Sequence, residues 1–509
     1  MSFVNKKLLL KNTFVLYLRM IFVLLVSLYT VRAILDLLGV EDYGTYNVIG
    51  SVVGMFTFLN GTLATSSQRF FSVALARNDY EELNKTFCLN ITVFGLFVII
   101  LLIIAETIGL WLVNTKLTIP SERLFAANIV YQFSIIACAI SILKVPYTAI
   151  VIAHEKMGAF AYISIYEAVF KLLIVLVLSL LSWDRLIVYG FLMFVNSLSV
   201  SCLYFWYSKR NFQEARFRFF WDKAEFIRLF SFSGWHFLGT ISNIIRGQCI
   251  NILLNIFFSP VMNAARAIAF QINGVVTQFT ESFNIAVKPQ LYKAYSAGEY
   301  QNLYRLINQS TILSVLLSAV LALPLMINSR FILSLWLKET PDFTVQFTTI
   351  VLITGLIEST NTAAIVPALA TGNIKKFEII TASLATANLP ISYIALKLGA
   401  PAYIPMAIAS CLAFITMIWR AYLLKELINL PYKKYLSLLV RLTVATIISG
   451  VISYLITKNN TTGFMMFLCS SVISVITTCI LYYVIVFSDN EKRVLYGFII
   501  NIIKKNKRK

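Results

Sequence analysis

The sequence predicts an all-α, polytopic membrane protein with about 14 transmembrane helices, and three observations support this fold class. Hydrophobic residues make up 59% of the 509 residues and charged residues only 13%, about half the charged fraction of a typical soluble domain. Apolar runs recur at the length of about 20 residues that a bilayer requires. Runs such as 97–102 and 172–181 lack the alternation of a membrane β-barrel, so backbone groups must be satisfied within helices.

The apolar runs divide the chain into fourteen candidate spans that are joined by short connections. The longest hydrophilic stretch, 208–225, leaves no room for an inserted soluble domain. The first apolar run extends to Leu38, which is longer than the apolar core of a signal peptide, and we interpret it as an uncleaved helix. The predicted spans are 12–38, 43–75, 85–113, 122–152, 158–182, 185–207, 226–258, 261–295, 303–328, 342–371, 376–398, 401–424, 435–457 and 463–487.

The distribution of basic residues predicts that both termini lie in the cytoplasm. When the N-terminus is placed inside and the loops are assigned alternately, inner segments hold about 26 Lys and Arg and outer segments about seven. The anionic inner leaflet attracts such residues, and this accounts for the net charge of +20. No aromatic-plus-basic nucleic-acid module is present, so we predict no nucleic-acid partner.

The sequence contains no motif for catalysis, ATP hydrolysis or metal binding. The seven cysteines all fall in predicted spans without a CxxC pair, and His154 and His236 have no metal-ligand spacing. A P-loop is absent as well. We therefore predict no cofactor and no metal site, and an energy source in the substrate gradient or in a coupling ion, H⁺ or Na⁺.

A weak internal repeat predicts two halves of six spans each. Residues 74–85 (ALARNDYEELNK) resemble residues 294–305 (AYSAGEYQNLYR) at an offset of 220, and Tyr80 aligns with Tyr300. Parallel repeats are common in transporters, whose substrate site lies between the halves. The predicted domains are an N-terminal six-helix lobe at 1–207, a cytoplasmic linker at 208–225, a C-terminal six-helix lobe at 226–425, two further transmembrane helices at 426–488 and a basic cytoplasmic tail at 489–509.

Polar residues follow one face of the predicted span 261–295, from Asn263 and Arg266 to Lys288. Their spacing of three, four and seven residues keeps them on one side of a helix. This face lines water or a polar substrate, or it packs as a polar seam against another helix. Glu358 begins a polar run before Pro367, which is typical of a bent helix. The predicted cavity-lining residues are Asn251, Asn255, Asn273, Thr277, Glu281, Asn284, Lys288 and Glu358.

Several arginines lie within predicted spans, where ionised groups are costly and usually functional. Arg19, Arg246 and Arg266 have no acidic neighbour at helical spacing, whereas Arg32 lies four residues before Asp36. Glu167 and Lys171 are also four residues apart and should neutralise each other. Arginine binds phosphate through two parallel hydrogen bonds, so these residues predict an anionic substrate, a phosphate or pyrophosphate.

Residues 38–46 (LGVEDYGTY) resemble the LG-x-x-x-[YF]-G-x-[YF] pattern of polysaccharide biosynthesis flippases. These are O-antigen-type, Wzx-like transporters of the multidrug/oligosaccharidyl-lipid/polysaccharide (MOP) exporter superfamily, and the resemblance covers nearly the whole chain. Gln68–Phe70, Pro146 and the stretch from Asn263 to Gln271 are also similar to that family. One departure is the turn at Ser259–Asn263, which lacks a second copy of the pattern and indicates that the halves have diverged.

The resemblance implies two six-helix lobes in a V-shaped, MATE-like arrangement with two further C-terminal helices. It also implies movement of an undecaprenyl-pyrophosphate-linked oligosaccharide across the bacterial inner membrane by alternating access, for O-antigen or capsule synthesis. The lipid-linked oligosaccharide and the bilayer are the expected partners, and the polysaccharide polymerase and chain-length machinery are candidate protein partners. By position, Arg19, Arg32, Arg246 and Arg266 would bind the pyrophosphate head group in a central cavity.

Two other functions are compatible with the sequence. A MATE-type multidrug or cation antiporter would use acidic residues such as Glu106, Glu281 and Glu358, although intramembrane Arg and Lys outnumber them. A membrane polysaccharide polymerase or glycosyltransferase would need a large extracytoplasmic loop, and the predicted outer connections are only about five to fifteen residues long.

Overall fold

The computed structural model describes residues 6–115, 121–181, 183–258, 260–336, 342–457, 463–488 and 492. Within these ranges all regular structure is helical, which confirms the predicted all-α fold. The α-helices are α1 (Lys6–Ala76), α2 (Tyr80–Ile104), α3 (Leu110–Thr115), α4 (Leu124–Ala153), α5 (Met157–Leu180), α6 (Arg185–Asn211), α7 (Lys223–Phe257), α8 (Pro260–Ser296), α9 (Tyr300–Ile327), α10 (Ser329–Trp336), α11 (Thr344–Glu358), α12 (Asn361–Thr371), α13 (Lys375–Lys397), α14 (Ile404–Ile428), α15 (Tyr432–Thr457) and α16 (Phe464–Leu481).

The helices are those of a polytopic membrane protein, as predicted. Nine helical segments of the described ranges are long and apolar enough to span a bilayer, and α11 with α12 makes a tenth if this pair, bent by 41°, crosses as one. The other four predicted spans lie in α1, α7 and α8, which are helical but are not among those ten. Helix α8 is not apolar enough to be counted among them, because polar residues interrupt each of its apolar stretches.

The first two predicted spans are joined in α1, with a single break at Gly39. This residue has φ 76° and ψ 168° inside an otherwise helical segment. Only glycine adopts this backbone region without strain. The break explains the glycine of the LG pair, and it replaces the loop that we expected between residues 38 and 43.

The chain forms two compact units, whose boundaries fall within α7, within α8 and in the first turn of α9. Unit 1 comprises residues 1–238 and 285–302, and unit 2 comprises residues 239–284 and 303–509. The first part of α7 and the last part of α8 therefore belong to unit 1, and the remainder of each helix belongs to unit 2. The lobes proposed from the repeat, which meet at 208–225, stay a prediction.

Each unit has its own apolar core. In unit 1, Phe71, Phe87 and Ile150 bring together α1, α2 and α4. In unit 2, Leu254 and Phe347 belong to a cluster that joins α7, α8 and α11. These side chains are almost fully buried, so helix packing as well as lipid stabilises each unit.

A hydrophilic segment after α6 packs against unit 1. The Nδ2 of Asn84 donates to the carbonyl oxygens of Glu214 (2.6 Å) and Arg216 (3.0 Å). His154 Nε2 lies 2.6 Å from Glu214 Oε1, and its ring stacks on Phe212 with the centroids 4.2 Å apart. The segment is thus fixed to the ends of α2 and α4.

Glu155, in the turn between α4 and α5, connects three parts of unit 1. Lys293 Nζ of α8 lies 2.7 Å from its Oε1, and Gln290 Nε2 donates to its Oε2 at 3.3 Å. Its backbone carbonyl accepts from Asn12 Nδ2 of α1 at 3.4 Å. The residue holds a left-handed conformation (φ 58°), which is uncommon for residues other than glycine. The end of α8 is attached to unit 1 through this carboxylate.

We expect Lys293→Met to lower the thermal unfolding midpoint of the detergent-purified protein. The side chain of Glu155 is only 8% exposed, so removal of the cation leaves a buried charge, at a cost of about 3–5 kcal/mol. Glu155→Gln/Lys293→Met should recover most of the loss. Lys376→Met, which removes the exposed pair with Glu426, is the control and should leave the midpoint nearly unchanged, because water screens an exposed ion pair. Equal losses in Lys293→Met and Lys376→Met would contradict the role of the buried pair.

We also expect the segment after α6 to loosen in acid. Burial lowers the pKa of His154 below its ordinary value of 6.5; Lys293 and Lys156 act in the same direction, and Glu214 opposes them. A lowered pKa means that the packed state binds the proton less readily than the released state, so packing is complete above pH 6.5 and weakens as the pH falls below it. Hydrogen exchange of residues 212–218, corrected for intrinsic rates, should increase between pH 7.5 and 5.5. His154→Gln should abolish this increase, and an unchanged pH profile in that variant would exclude His154 as its cause.

Candidate functional site

Unit 2 contains a pocket of about 140 Å³ between α7, α8, α11, α13 and α14. Four of the predicted site residues meet there: Arg246 of α7, Arg266 and Asn273 of α8, and Glu358 of α11. Thr354 and Asn388 complete its polar lining, and Ile250, Phe270, Val351 and Met406 contribute apolar walls. The pocket therefore combines two arginines with one carboxylate.

Arg266 is held on two sides and keeps one donor unused. Its guanidinium lies over the ring of Phe270, 4.5 Å from the centroid, and Nη1 donates to Oδ1 of Asn251. Its Nε is buried and has no hydrogen-bond partner among the described residues. A ring and a neutral amide orient the cation without neutralising it, so the group remains available to an anion.

Asn273 approaches α11 closely because residue 355 is glycine. A Cβ atom on Gly355 would lie 2.3 Å from Asn273 Oδ1, which is too near for any side chain. This oxygen is buried and lacks a hydrogen-bond donor within the described part of the chain. The pocket therefore offers an unused acceptor beside its cations, which suits a ligand that carries hydroxyl groups as well as negative charge.

A smaller pocket, of about 40 Å³, adjoins the first because Arg246 and Glu358 line both. Its wall includes Arg420 of α14, whose guanidinium lies 5.7 Å from the ring centroid of Phe377. The charges of Glu358 and Glu378 act on Arg420. The sequence shows Arg420 as an arginine at the end of a span, but it gives no reason to place it beside Arg246.

Unit 1 has a second cationic cluster, which surrounds Arg19. The guanidinium of Arg19 lies 4.8 Å from the ring centroid of Phe160, and its Nε is buried without a partner among the described residues. Lys171 Nζ lies 2.8 Å from Glu167 Oε1, which confirms the pair expected from their spacing. The charges of Lys144 and Arg19 also act on Glu167. Three cations thus share one carboxylate, and Lys144 was not among the predicted site residues.

The remaining predicted residues have different environments. Asn284 is buried, where Nδ2 donates to Thr362 (3.0 Å) and Oδ1 accepts from Ser314 (3.2 Å), so this part of α8 is a packed polar seam. Thr277 is exposed and donates to the carbonyl of Asn273. Glu281 and Lys288 are half-buried, and each interacts with other groups. The side chains of Arg32 and Asn255 lie outside the described part of the structure.

Comparison with known proteins gives one family match and one relative. The family model described as polysaccharide biosynthesis protein matches residues 9–328. A putative O-antigen export protein from Yersinia pseudotuberculosis is 33% identical over 91 residues, which are 18% of this chain and 21% of that protein. The chain thus spans about a fifth of the length of this relative.

Solved structures of MATE and MOP transporters share the fold. A MATE protein in the bent conformation has a TM-score of 0.70 at 12% identity, over 83% of this chain and 96% of that one. An outward-facing multidrug resistance MATE transporter gives 0.68 at 13% identity, over 82% and 96%. A MOP superfamily transporter from Pyrococcus furiosus, whose binding pocket is described as reversed in polarity, gives 0.66 at 12% identity, over 82% and 96%. At these identities the likeness establishes the fold alone.

We expect Gly355→Ala to impair anion binding in the unit 2 pocket, because the new methyl group displaces the Asn273 amide. Methylenediphosphonate, a stable pyrophosphate analogue, should raise the unfolding temperature of the parent protein by mass action. This shift should shrink at least about threefold in Gly355→Ala, given that overpacking costs on the order of 1 kcal/mol or more. Gly247→Ala is a matched control, since Gly247 lines the same pocket and a Cβ there meets nothing within 4 Å. Equal shifts in both variants would show that the analogue does not use this pocket.

Proposed function

The chain belongs to the polysaccharide biosynthesis protein family, and from this premise we propose that it is a flippase for a lipid-linked oligosaccharide. In this proposal an undecaprenyl-pyrophosphate-linked oligosaccharide crosses the bacterial inner membrane by alternating access and serves surface polysaccharide synthesis. The multi-pass helical structure and the MATE-like fold are those of a membrane transporter. The O-antigen export protein of Yersinia pseudotuberculosis supports the substrate class.

One observation carries the proposal: Arg266 lines the pocket of unit 2, and its buried Nε–H group has no partner among the described residues. An arginine in a bilayer is costly and must be compensated or used. Here the ring of Phe270 and the amide oxygen of Asn251 orient the guanidinium of Arg266, and Arg246 lines the same pocket. Pyrophosphate is a dense anion that guanidinium groups bind through paired, charge-assisted hydrogen bonds. A cationic drug would meet repulsion at the same place.

The carboxylates of the two clusters have a defined role in this proposal. Glu358 lines the pocket of Arg246, and Glu167 pairs with Lys171 beside Arg19. Each acid partly balances the cations while no substrate is bound, and the head group takes its place during binding. Such an exchange of partners limits the cost of unpaired charges in the empty transporter. Arg19, Arg246 and Arg266 are the proposed head-group ligands, and Arg32 stays a candidate by sequence position.

The direction and energy source are proposals as well. We place both termini in the cytoplasm on the basis of the basic-residue count, so the head group would load from the cytoplasm. A gradient of H⁺ or Na⁺, or the flow of substrate towards the polymerase, would drive transport. The second candidate is a MATE-type cation antiporter, which the exposed carboxylate of Glu358 in the pocket favours.

The decisive measurement is translocation of a fluorescent polyprenyl-pyrophosphate oligosaccharide in proteoliposomes. We expect Arg266→Ala and Arg246→Ala to reduce the initial rate about 10- to 100-fold, as for the loss of a charged hydrogen bond. Arg266→Lys, which keeps the charge but not the paired donors, should retain intermediate activity.

Arg330→Ala is the matched control, because Arg330 is exposed on α10 and lines neither pocket. Its rate should equal that of the parent protein. Full activity in Arg266→Ala, or transport of cationic drugs in place of the lipid, would refute the proposal and favour the antiporter.

A further inference from the structure

Unit 2 has a second cationic cavity, whose basic residues all lie on α15, outside the predicted six-helix repeat. It encloses about 430 Å³ where α9 and α15 begin and the helical segment after α16 ends. Lys433, Lys434 and Arg441 of α15 line it, and no acidic residue is among the lining residues that the structure describes. The cavity shares no residue with the pockets around Arg246.

The cations are arranged along one face of α15, from its first turn inwards. Lys434 and Arg441 are seven residues apart, which places them on the same side of the helix with a separation of about 10 Å along its axis. Arg441 therefore lies two turns deeper than the lysines. None of these three side chains forms a hydrogen bond or ion pair with another residue of the described ranges. An arginine at this depth needs a counter-charge, and none of the residues that the structure describes supplies one.

The other lining residues indicate which groups a ligand would carry besides a negative charge. Ile312 of α9, Leu438 of α15 and Val486 after α16 give the cavity apolar sides. Asn308 of α9 also lines it, and its Oδ1 is buried without a donor among the described residues. A phosphate between the cations, a hydroxyl group that donates to Asn308 and a hydrocarbon segment along the apolar side would satisfy all three features.

We propose that this cavity binds the phosphate of a membrane lipid whose head group also carries hydroxyl groups. A glycerol phosphate of a phospholipid and a sugar phosphate on a lipid carrier have this chemistry in common. Free phosphate matches the cations but leaves the apolar side and Asn308 unused. The site is separate from the proposed head-group site, and it stands or falls independently of the transport function.

Native mass spectrometry of the full-length protein with defined lipids tests the site. Dioleoyl-phosphatidylglycerol should bind more tightly than dioleoyl-phosphatidylcholine, whose zwitterionic head group lacks hydroxyls. Lys434→Gln/Arg441→Gln should weaken phosphatidylglycerol binding about 25-fold, from about fivefold for each lost charge. Lys425→Gln, which removes an exposed lysine at the same end of unit 2 but outside the cavity, should leave binding unchanged.

Asn308→Leu separates the hydroxyl contribution from the charge. It should reduce the preference for phosphatidylglycerol over phosphatidic acid, which has no glycerol head group, and leave phosphatidic acid binding as it is. Arg441→Lys should restore most of the affinity that Arg441→Gln loses, and this rescue shows that a folded variant responds to charge. Both results support the proposal.

Competition identifies the source of the phosphate. Displacement of phosphatidylglycerol by a polyprenyl pyrophosphate at lower concentration assigns the cavity to a carrier lipid. Failure of that compound to compete assigns it to a phospholipid. Equal binding of phosphatidylglycerol and phosphatidylcholine, displacement by inorganic phosphate alone, or the same loss in Lys425→Gln as in Lys434→Gln/Arg441→Gln would overturn the proposal.

Discussion

Arginine cannot discard its charge inside a membrane, so the protein must replace the water that the guanidinium loses. This chain repeatedly uses a phenylalanine ring for that purpose. Arg19 lies over Phe160, Arg266 over Phe270 and Arg420 over Phe377. The electron-rich face of a ring attracts a cation but carries no net charge. The ring therefore fixes the guanidinium in position without adding a negative charge, whereas an ion pair with a carboxylate would be neutral as a whole.

The same constraint explains the composition of α8. A helix surrounded by lipid cannot carry Arg266, Asn273, Glu281, Asn284 and Lys288 along one face. In the structure, successive parts of this polar face have different surroundings. Arg266 and Asn273 face the pocket in unit 2, whereas Asn284 is sealed between Thr362 and Ser314. Beyond residue 285 the helix belongs to unit 1, where Lys293 is bound to Glu155. Along one helix, the polar residues thus line a pocket, pack against other helices and attach the helix end to Glu155 in succession.

How far the sequence could predict these features depends on the range of the interactions. Helices and their approximate ends follow from local hydropathy, and the Glu167–Lys171 pair follows from helical spacing. The sequence predicted in outline that one pocket would contain Arg246, Arg266, Asn273 and Glu358, because ionised groups within spans usually face a shared polar cavity. The different surroundings of the polar residues along α8 could not be predicted, since they depend on which residues of other helices face each turn. Lys144 and Arg420 were visible as charges, but their neighbours come from other helices.

If the proposed function is right, the balance of charge within each cluster bears on turnover as well as on binding. In unit 1 the cations Arg19, Lys144 and Lys171 share Glu167, and in unit 2 Glu358 is the one carboxylate in the described lining of the pocket of Arg246 and Arg266. Full neutralisation would leave nothing to attract an anion, whereas clusters without any acid would bind a pyrophosphate too tightly to release it. A transporter needs a site that is favourable enough to fill and weak enough to empty, as in channels. In the proposed transporter a single carboxylate among several cations would provide this intermediate condition, because the acid would again balance the cations when the anion leaves and so offset part of the cost of release.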